Sequence, residues 1–406
     1  MFTALEQIPY AELAGRHARC RELLARLAPE AGGMLVCSRV EIYYLTGTLA
    51  SGLFWLPLSG EPVLLTRRGV ERARLESPLR LIASFRSYRA LAGICAEAGS
   101  PLPPCIAVDK AGFSWSMGDL LQKHLPGTRF TSCDLALRKA RAVKSEWELR
   151  KLRLCGERHR AALEESLPER LSPGMTELEI AHLVHETFCE RGNGVVTRMY
   201  AHGEENHGLL AVGDSGLYPT YYNGPLGARG LHPSIPYLGD AGTVWRPHTL
   251  LTVDVGFTVE GYNTDKTQVY WSGDAASLPQ RLIAAHAACE EAYRHCAERL
   301  RPGLAPSQLW REVLEMMERA GQAEGFMGMG GNKVAFLGHG TGLTVDDLPV
   351  FAAGFDEPLE EGMVVAVEPK IAIPGIGLTG VENTFEITAR GARSLSGSRI
   401  GIIPLS

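Results

Sequence analysis

Over the first part of the chain, apolar positions alternate between short continuous runs and helically spaced stripes. "GGMLVCS" and "EPVLLT" are apolar runs of strand length, whereas "YAELAGRHARCRELLARLA" repeats its apolar residues at the spacing of one helix face. "RALAGICAEAG", "PCIAVDK" and "SMGDLLQKHL" continue the alternation. This pattern predicts an α/β domain over residues 1–143. No residue cluster in it has ligand or triad spacing, so a scaffolding or substrate-gating role is expected. A charged helical run from Lys144 to about Glu169 then leads into a Pro-Gly break, and a second domain is expected over residues 144–406.

That second domain carries an internal repeat. "PGMTELEIAHLVHETFCERG" (173–192) and "PGLAPSQLWREVLEMMERAG" (302–321) have equal length, open with Pro-Gly and close with a Gly suited to a helix end. Thr176 and Glu179 form a T-x-x-E capping box, and Pro306 suits the first position of a helix. Ile180, Leu183, Val184 and Phe188 match Leu309, Val313, Met316 and Met317 as apolar stripes. Two similar halves are predicted, each a helical pair followed by antiparallel strands.

The strand patterns of this domain are interrupted by acids. "LLTVDVGFTVEGYNTDKTQVYW" places Asp254 and Asp265 among strand formers, and "GMVVAVEPKIAIPGIGLTGVENTFEIT" does the same with Glu368 and Glu382. Residues directly opposed in a hairpin lie equidistant from its turn and share a face. The first pair centres between Val259 and Glu260, and the second on Gly375 inside "PGI", so each pair is expected face to face. Buried carboxylates are strongly disfavoured as anions without a partner, so four together require cations. In "FLGHGTGL", His339 lies between glycines that leave the imidazole room to project. Four carboxylates and one imidazole would be balanced by two divalent cations, leaving room for a bridging hydroxide, the composition of a dinuclear hydrolytic site. Oxygen-rich ligation with one imidazole suits manganese, iron, cobalt or zinc.

Composition narrows the partners. The 406 residues are 45% hydrophobic and 21% charged, with a formal net charge of -5, which argues against a nucleic-acid or anionic-membrane surface. No apolar run approaches a bilayer span, and the N-terminus lacks the pattern of a signal peptide. Nine cysteines without a C-x-x-C pair read as reduced, mostly buried thiols of a cytoplasmic protein.

The motifs resemble a known family. D-x-G at Asp254, Asp265 in "TDKT", "GHGTGL", "VEP" and "GVENT" are similar in order and local sequence to the pita-bread metallopeptidases. That group includes Xaa-Pro aminopeptidases, prolidases, methionine aminopeptidases and creatinases. "SRVEIYYLTGT" and "GEPVLLT" resemble the creatinase-type N-terminal domain, and "VKSEWELRKLR" the link that follows it. The resemblance implies an α+β fold, with a pita-bread catalytic domain of two related halves behind a smaller α/β domain. It implies an Xaa-Pro peptidase of aminopeptidase P or prolidase type, using a metal-bridging water, active as a homodimer. By the same resemblance, Asp254 would chelate one of two divalent ions, and Asp265 and Glu382 would bridge both. His339 and Glu368 would hold the other, and Glu368 would also shuttle a proton.

Three positions depart from the family pattern. Asp346 stands where a second His is usual, Gly380 where an Arg is common, and Tyr237 where a substrate-contacting His is usual. His207 and His232, in a Gly- and Pro-rich segment, are candidate replacements for substrate binding, together with Asp346. The departures leave open a metal-dependent hydrolase or lyase of a non-peptide small molecule on the same fold, or a non-enzymatic binding protein.

Overall fold

The computed structural model describes residues 6–200, 205, 206 and 208–405. They form two compact units, one ending at Arg141 and the other beginning at Ala142. No helix among the described residues is long and apolar enough to cross a membrane.

In the first unit the apolar runs become a six-stranded sheet. Its order is Leu81–Ser84, Val63–Thr66, Gly52–Pro57, Gly33–Val36, Cys105–Val108 and Arg129–Ser132. Leu35, Trp55, Leu65 and Ile106 are buried in one core with Leu91 and Leu121 from the helices. The helix Tyr10–Leu27 buries Leu13, Cys20, Leu23 and Leu24, the stripe read from its periodicity.

The second unit contains the expected two halves. In the first, helices Glu146–Ala161 and Glu177–Glu190 precede strands Leu209–Val212, Leu250–Val259 and Tyr262–Ser272. In the second, helices Gln280–Arg299 and Pro306–Arg319 precede a five-stranded sheet. Its order is Asp347–Ala352, Phe336–Gly340, Val364–Val367, Asn383–Thr388, Gly391–Ser394. The repeated helices are each 14 residues long. Thr176 and Glu179 form the reciprocal capping box, and Pro306 opens its helix. Ile180, Val184 and Phe188 pack in one core with Val253, Val255 and Phe257, and Leu309, Val313 and Met317 in another with Val365, Val367 and Phe385.

The hairpins explain how acids sit in strands. Along Leu250–Val259 the residues Leu251, Val253, Val255, Phe257 and Val259 all face the first core, which leaves Asp254 on the opposite face. The pairing, however, differs from the expected one. Asp254 lies opposite Thr267, and Asp265 opposite Gly256, so the two aspartates are diagonal neighbours on one face. The cause is the turn: Glu260 and Gly261 form a two-residue loop with φ of 52° and 84°, the geometry that suits strand twist. This shifts the turn centre by one residue from the symmetric position.

The second hairpin keeps its expected centre. Ile373 pairs with Gly377, Lys370 with Gly380, and Val367 with Asn383, all equidistant from Gly375. Between those last two pairs the chain leaves one sheet and enters another, and Glu368 and Glu382 occupy that crossing. Both are equidistant from Gly375, in the stretch between the paired residues of the two sheets.

Candidate metal centre

The two hairpins and one strand bring the acids and the imidazole together. An isolated bridge joins Thr267 of the first hairpin to Glu382 of the second, and Thr267 Oγ1 donates to Glu382 Oε2 at 2.7 Å. Thr384 adds a reciprocal link, accepting the Asp265 N–H and donating to the Asp265 carbonyl, both at 2.8 Å. These bonds fix the relative height of the acids, a task the hairpin turns alone leave undone.

His339 arrives on the strand Phe336–Gly340, paired on both sides. Its glycines do more than leave room for the ring. A Cβ on Gly338 would stand 2.2 Å from the Ala366 carbonyl oxygen, and one on Gly340 would stand 1.9 Å from that of Leu348. Close strand approach therefore requires both, and the segment is a strand. The imidazole Nε2 lies 3.9 Å from Asp265 Oδ2 and 3.6 Å from Glu368 Oε1.

Two overlapping trios have ligand atoms all within 4.8 Å of one another: Asp265, His339 and Glu382, and Asp254, Glu368 and Glu382. The first is an oxygen-rich set with one imidazole, a donor set that fits a divalent transition ion. The second has another cation at its centre. Lys370 Nζ donates to Asp254 Oδ2 at 2.8 Å, Glu368 Oε2 at 2.7 Å and Glu382 Oε2 at 2.8 Å. Its side chain is fully buried.

The electrostatics follow from this crowding. Burial, then the neighbouring Glu382 and Asp254 carboxylates, pushes the Asp265 carboxyl well above its usual range. Burial raises Asp254 to about 6, although Lys370 pulls against it. For Lys370 burial alone would favour the neutral amine, but Asp254, Glu368 and Glu382 outweigh it and hold the ammonium well above its ordinary pKa.

The candidate substrate residues are placed unevenly. The Asp346 carboxylate accepts the Tyr200 N–H at 2.5 Å, and burial holds its pKa above the usual carboxylate range. His232 is exposed, with Nδ1 2.7 Å from Ser234 Oγ in its own loop. His207 lies outside the described residues. Tyr237 packs edge-on to Tyr222 beside a small apolar cluster. Lys370 escaped the reading of the sequence. Its signal was present in "VEPKIAI", where a lysine interrupts an apolar strand as the acids do.

Comparison with known proteins identifies the family. The profile of metallopeptidase family M24 matches residues 150–389, and that of the creatinase/prolidase N-terminal domain matches residues 16–143. The chain is 29% identical over 276 residues to the probable dipeptidase PepE of Mycobacterium bovis, covering 66% of this chain and 63% of that one. That match therefore spans less than two thirds of the relative's length. Over 288 residues it is 26% identical to the Xaa-Pro dipeptidase of Lactobacillus delbrueckii subsp. lactis, covering 70% of this chain and 68% of the other. The solved Xaa-Pro dipeptidase from Bacillus anthracis matches with a TM-score of 0.80 at 20% identity, covering 97% of this chain and 100% of that one. That likeness establishes the fold, a creatinase-type domain followed by a pita-bread domain.

Proposed function

The chain belongs to metallopeptidase family M24, and from that premise we propose that it hydrolyses dipeptides or other short peptides, Xaa-Pro bonds first among them. The reaction is assigned to the cluster of Asp254, Asp265, His339, Glu368 and Glu382. The observation that carries this reading is the convergence of those residues, from two hairpins and one strand, on overlapping sets of metal-ligating atoms. Relatives named as dipeptidases and Xaa-Pro dipeptidases support the substrate class.

Asp265, His339 and Glu382 would hold a divalent cation. When bound, it supplies Lewis-acid polarisation of the scissile carbonyl and a nucleophilic water at neutral pH. The chain's own groups do the rest. Glu368 is the assigned proton carrier: Oε2 is held by Lys370, which leaves Oε1, on the His339 side, to accept a proton and return it to the leaving amine. Thr267 and Thr384 hold Glu382 and Asp265 in place. Asp346, which accepts the Tyr200 N–H, is assigned to substrate positioning. The protein is taken to act in the cytoplasm as a homodimer, which sedimentation velocity would test.

A second reading is hydrolysis or lysis of a non-peptide small molecule. It is favoured by Asp346, Gly380 and Tyr237 standing where the family pattern has His, Arg and His. One screen separates the two. Protein loaded with manganese, cobalt, zinc or iron is assayed on Xaa-Pro dipeptides, other dipeptides and longer Xaa-Pro peptides. Turnover on any of these supports the peptidase reading; no turnover with every metal sinks it.

A further inference from the structure

The second trio of candidate ligands surrounds Lys370. An ammonium has three N–H donors, and here all three are spent on Asp254, Glu368 and Glu382, at 2.7–2.8 Å. Those are the residues of the second trio able to hold a metal. A transition ion in that seat would need the same oxygens at about 2.0–2.2 Å, so nitrogen and metal are alternatives there. The other trio, Asp265, His339 and Glu382, shares only Glu382 with the lysine.

The surroundings are shaped for this side chain. Lys370 lies directly across the hairpin from Gly380. A Cβ on Gly380 would stand 2.5 Å from Lys370 Cγ and 2.6 Å from the Pro369 carbonyl oxygen. The absence of a side chain at position 380 thus makes room for the lysine stem along the strand. Charge is also balanced to within one unit: the ammonium and one divalent ion offset three of the four carboxylate charges.

We propose that Lys370 permanently fills one of the two cation seats, so that the centre binds a single divalent ion, at Asp265, His339 and Glu382. This rests on the metal-dependent reading above and specifies it. In this arrangement Lys370 is a positioning residue. It fixes the free and bound oxygens of Glu368 and keeps Asp254 charged-paired without being exchangeable or removable by a chelator.

The test counts ions. Full-length protein is saturated with manganese, freed of excess, and measured by plasma mass spectrometry and by electron paramagnetic resonance. One ion per chain with an uncoupled manganese spectrum is expected. Two ions with a spin-coupled spectrum overturn the single-ion proposal while leaving a metal-dependent hydrolase standing; no ion at all overturns both. Asp254→Asn should retain the ion, weakened by about 10–100-fold as for a residue behind the ligands, whereas Asp265→Asn should lose it. Loss of the ion in Asp254→Asn overturns the assignment of seats. Lys370→Met is expected to raise the count from one to two. A folded variant that stays at one overturns the role given to the lysine, and should it not fold, the wild-type count and Asp254→Asn still decide.

Discussion

The two acidic hairpins present the same chemistry by different means. The first turns on two residues, Glu260 and Gly261, and sets its aspartates diagonally on one uninterrupted sheet face. The second turns around Gly375 and sets its glutamates equidistant from that turn, where the chain passes between two sheets. Lys370 bonds Glu368 and Glu382 of its own hairpin and reaches Asp254 of the other, while His339 lies near both Asp265 and Glu368. The second hairpin therefore brings a cation of its own, and Asp254 of the first hairpin shares it. The difference teaches that similar acidic motifs need not carry the same counter-charge.

The comparison breaks most severely at Asp265. Asp265→Ala should lower turnover by about a thousandfold or more, because several kcal/mol of charge stabilisation depend on the ion it helps to hold. Circular dichroism should show the fold intact, since the aspartate contributes no buried apolar surface. Near-wild-type turnover of an active preparation would remove Asp265 from the ligand set.

Lys370→Met attacks the other hairpin through stability. It leaves three carboxylates around an apolar side chain, and removing one partner of a buried ionic group costs about 3–5 kcal/mol. Urea unfolding in a chelator should show that loss, and saturating manganese should recover a larger share of it than in the wild type. Equal midpoints for the two proteins in chelator would mean that the lysine does not compensate the acids.

A subtler contrast is the pH dependence without metal. Asp254 is raised to about 6 and Asp265 well above its ordinary value, burial being the larger cause in both. The folded chain therefore binds these protons more tightly than the unfolded one. The stabilisation from protonation is present at low pH and is lost as pH rises through the folded values. In chelator the thermal midpoint should thus rise as pH falls from 7 towards 5. With metal the trend should reverse, because ligation requires the deprotonated carboxylates. The same slope in both conditions would show that neither aspartate is a ligand.

Much of this was legible in the sequence for definite reasons. The helices of the repeat were readable because Thr176, Glu179 and Pro306 are local end signals that need no tertiary context. The second hairpin was readable because Gly375, at φ 79°, lies in the middle of its turn. The first was displaced by one residue, since Glu260 gives no sign that it will adopt a positive φ. Lys370 was missed for a physical reason too. A buried acid invites the question of its cation, whereas a lysine near acids reads as ordinary until its burial and its three partners are seen. His339 was found, but its glycines serve strand contacts that only the neighbouring strands reveal.

The smallest expected effect lies at the turn that sets the first hairpin apart. Glu260 holds φ at 52°, a region that non-glycine residues enter at a cost and that asparagine tolerates well. Glu260→Asn would create the Asn-Gly pair favoured in two-residue hairpins. Against that gain stands the ion pair from Glu260 to Lys151, whose glutamate is 54% exposed and whose loss costs little after solvent screening. The balance is a rise in stability of about a few tenths of a kcal/mol, with register unchanged, measurable as a small upward shift in the unfolding midpoint. A clear loss would mean that the Lys151 contact, and not the turn geometry, fixes the diagonal placement of Asp254 and Asp265.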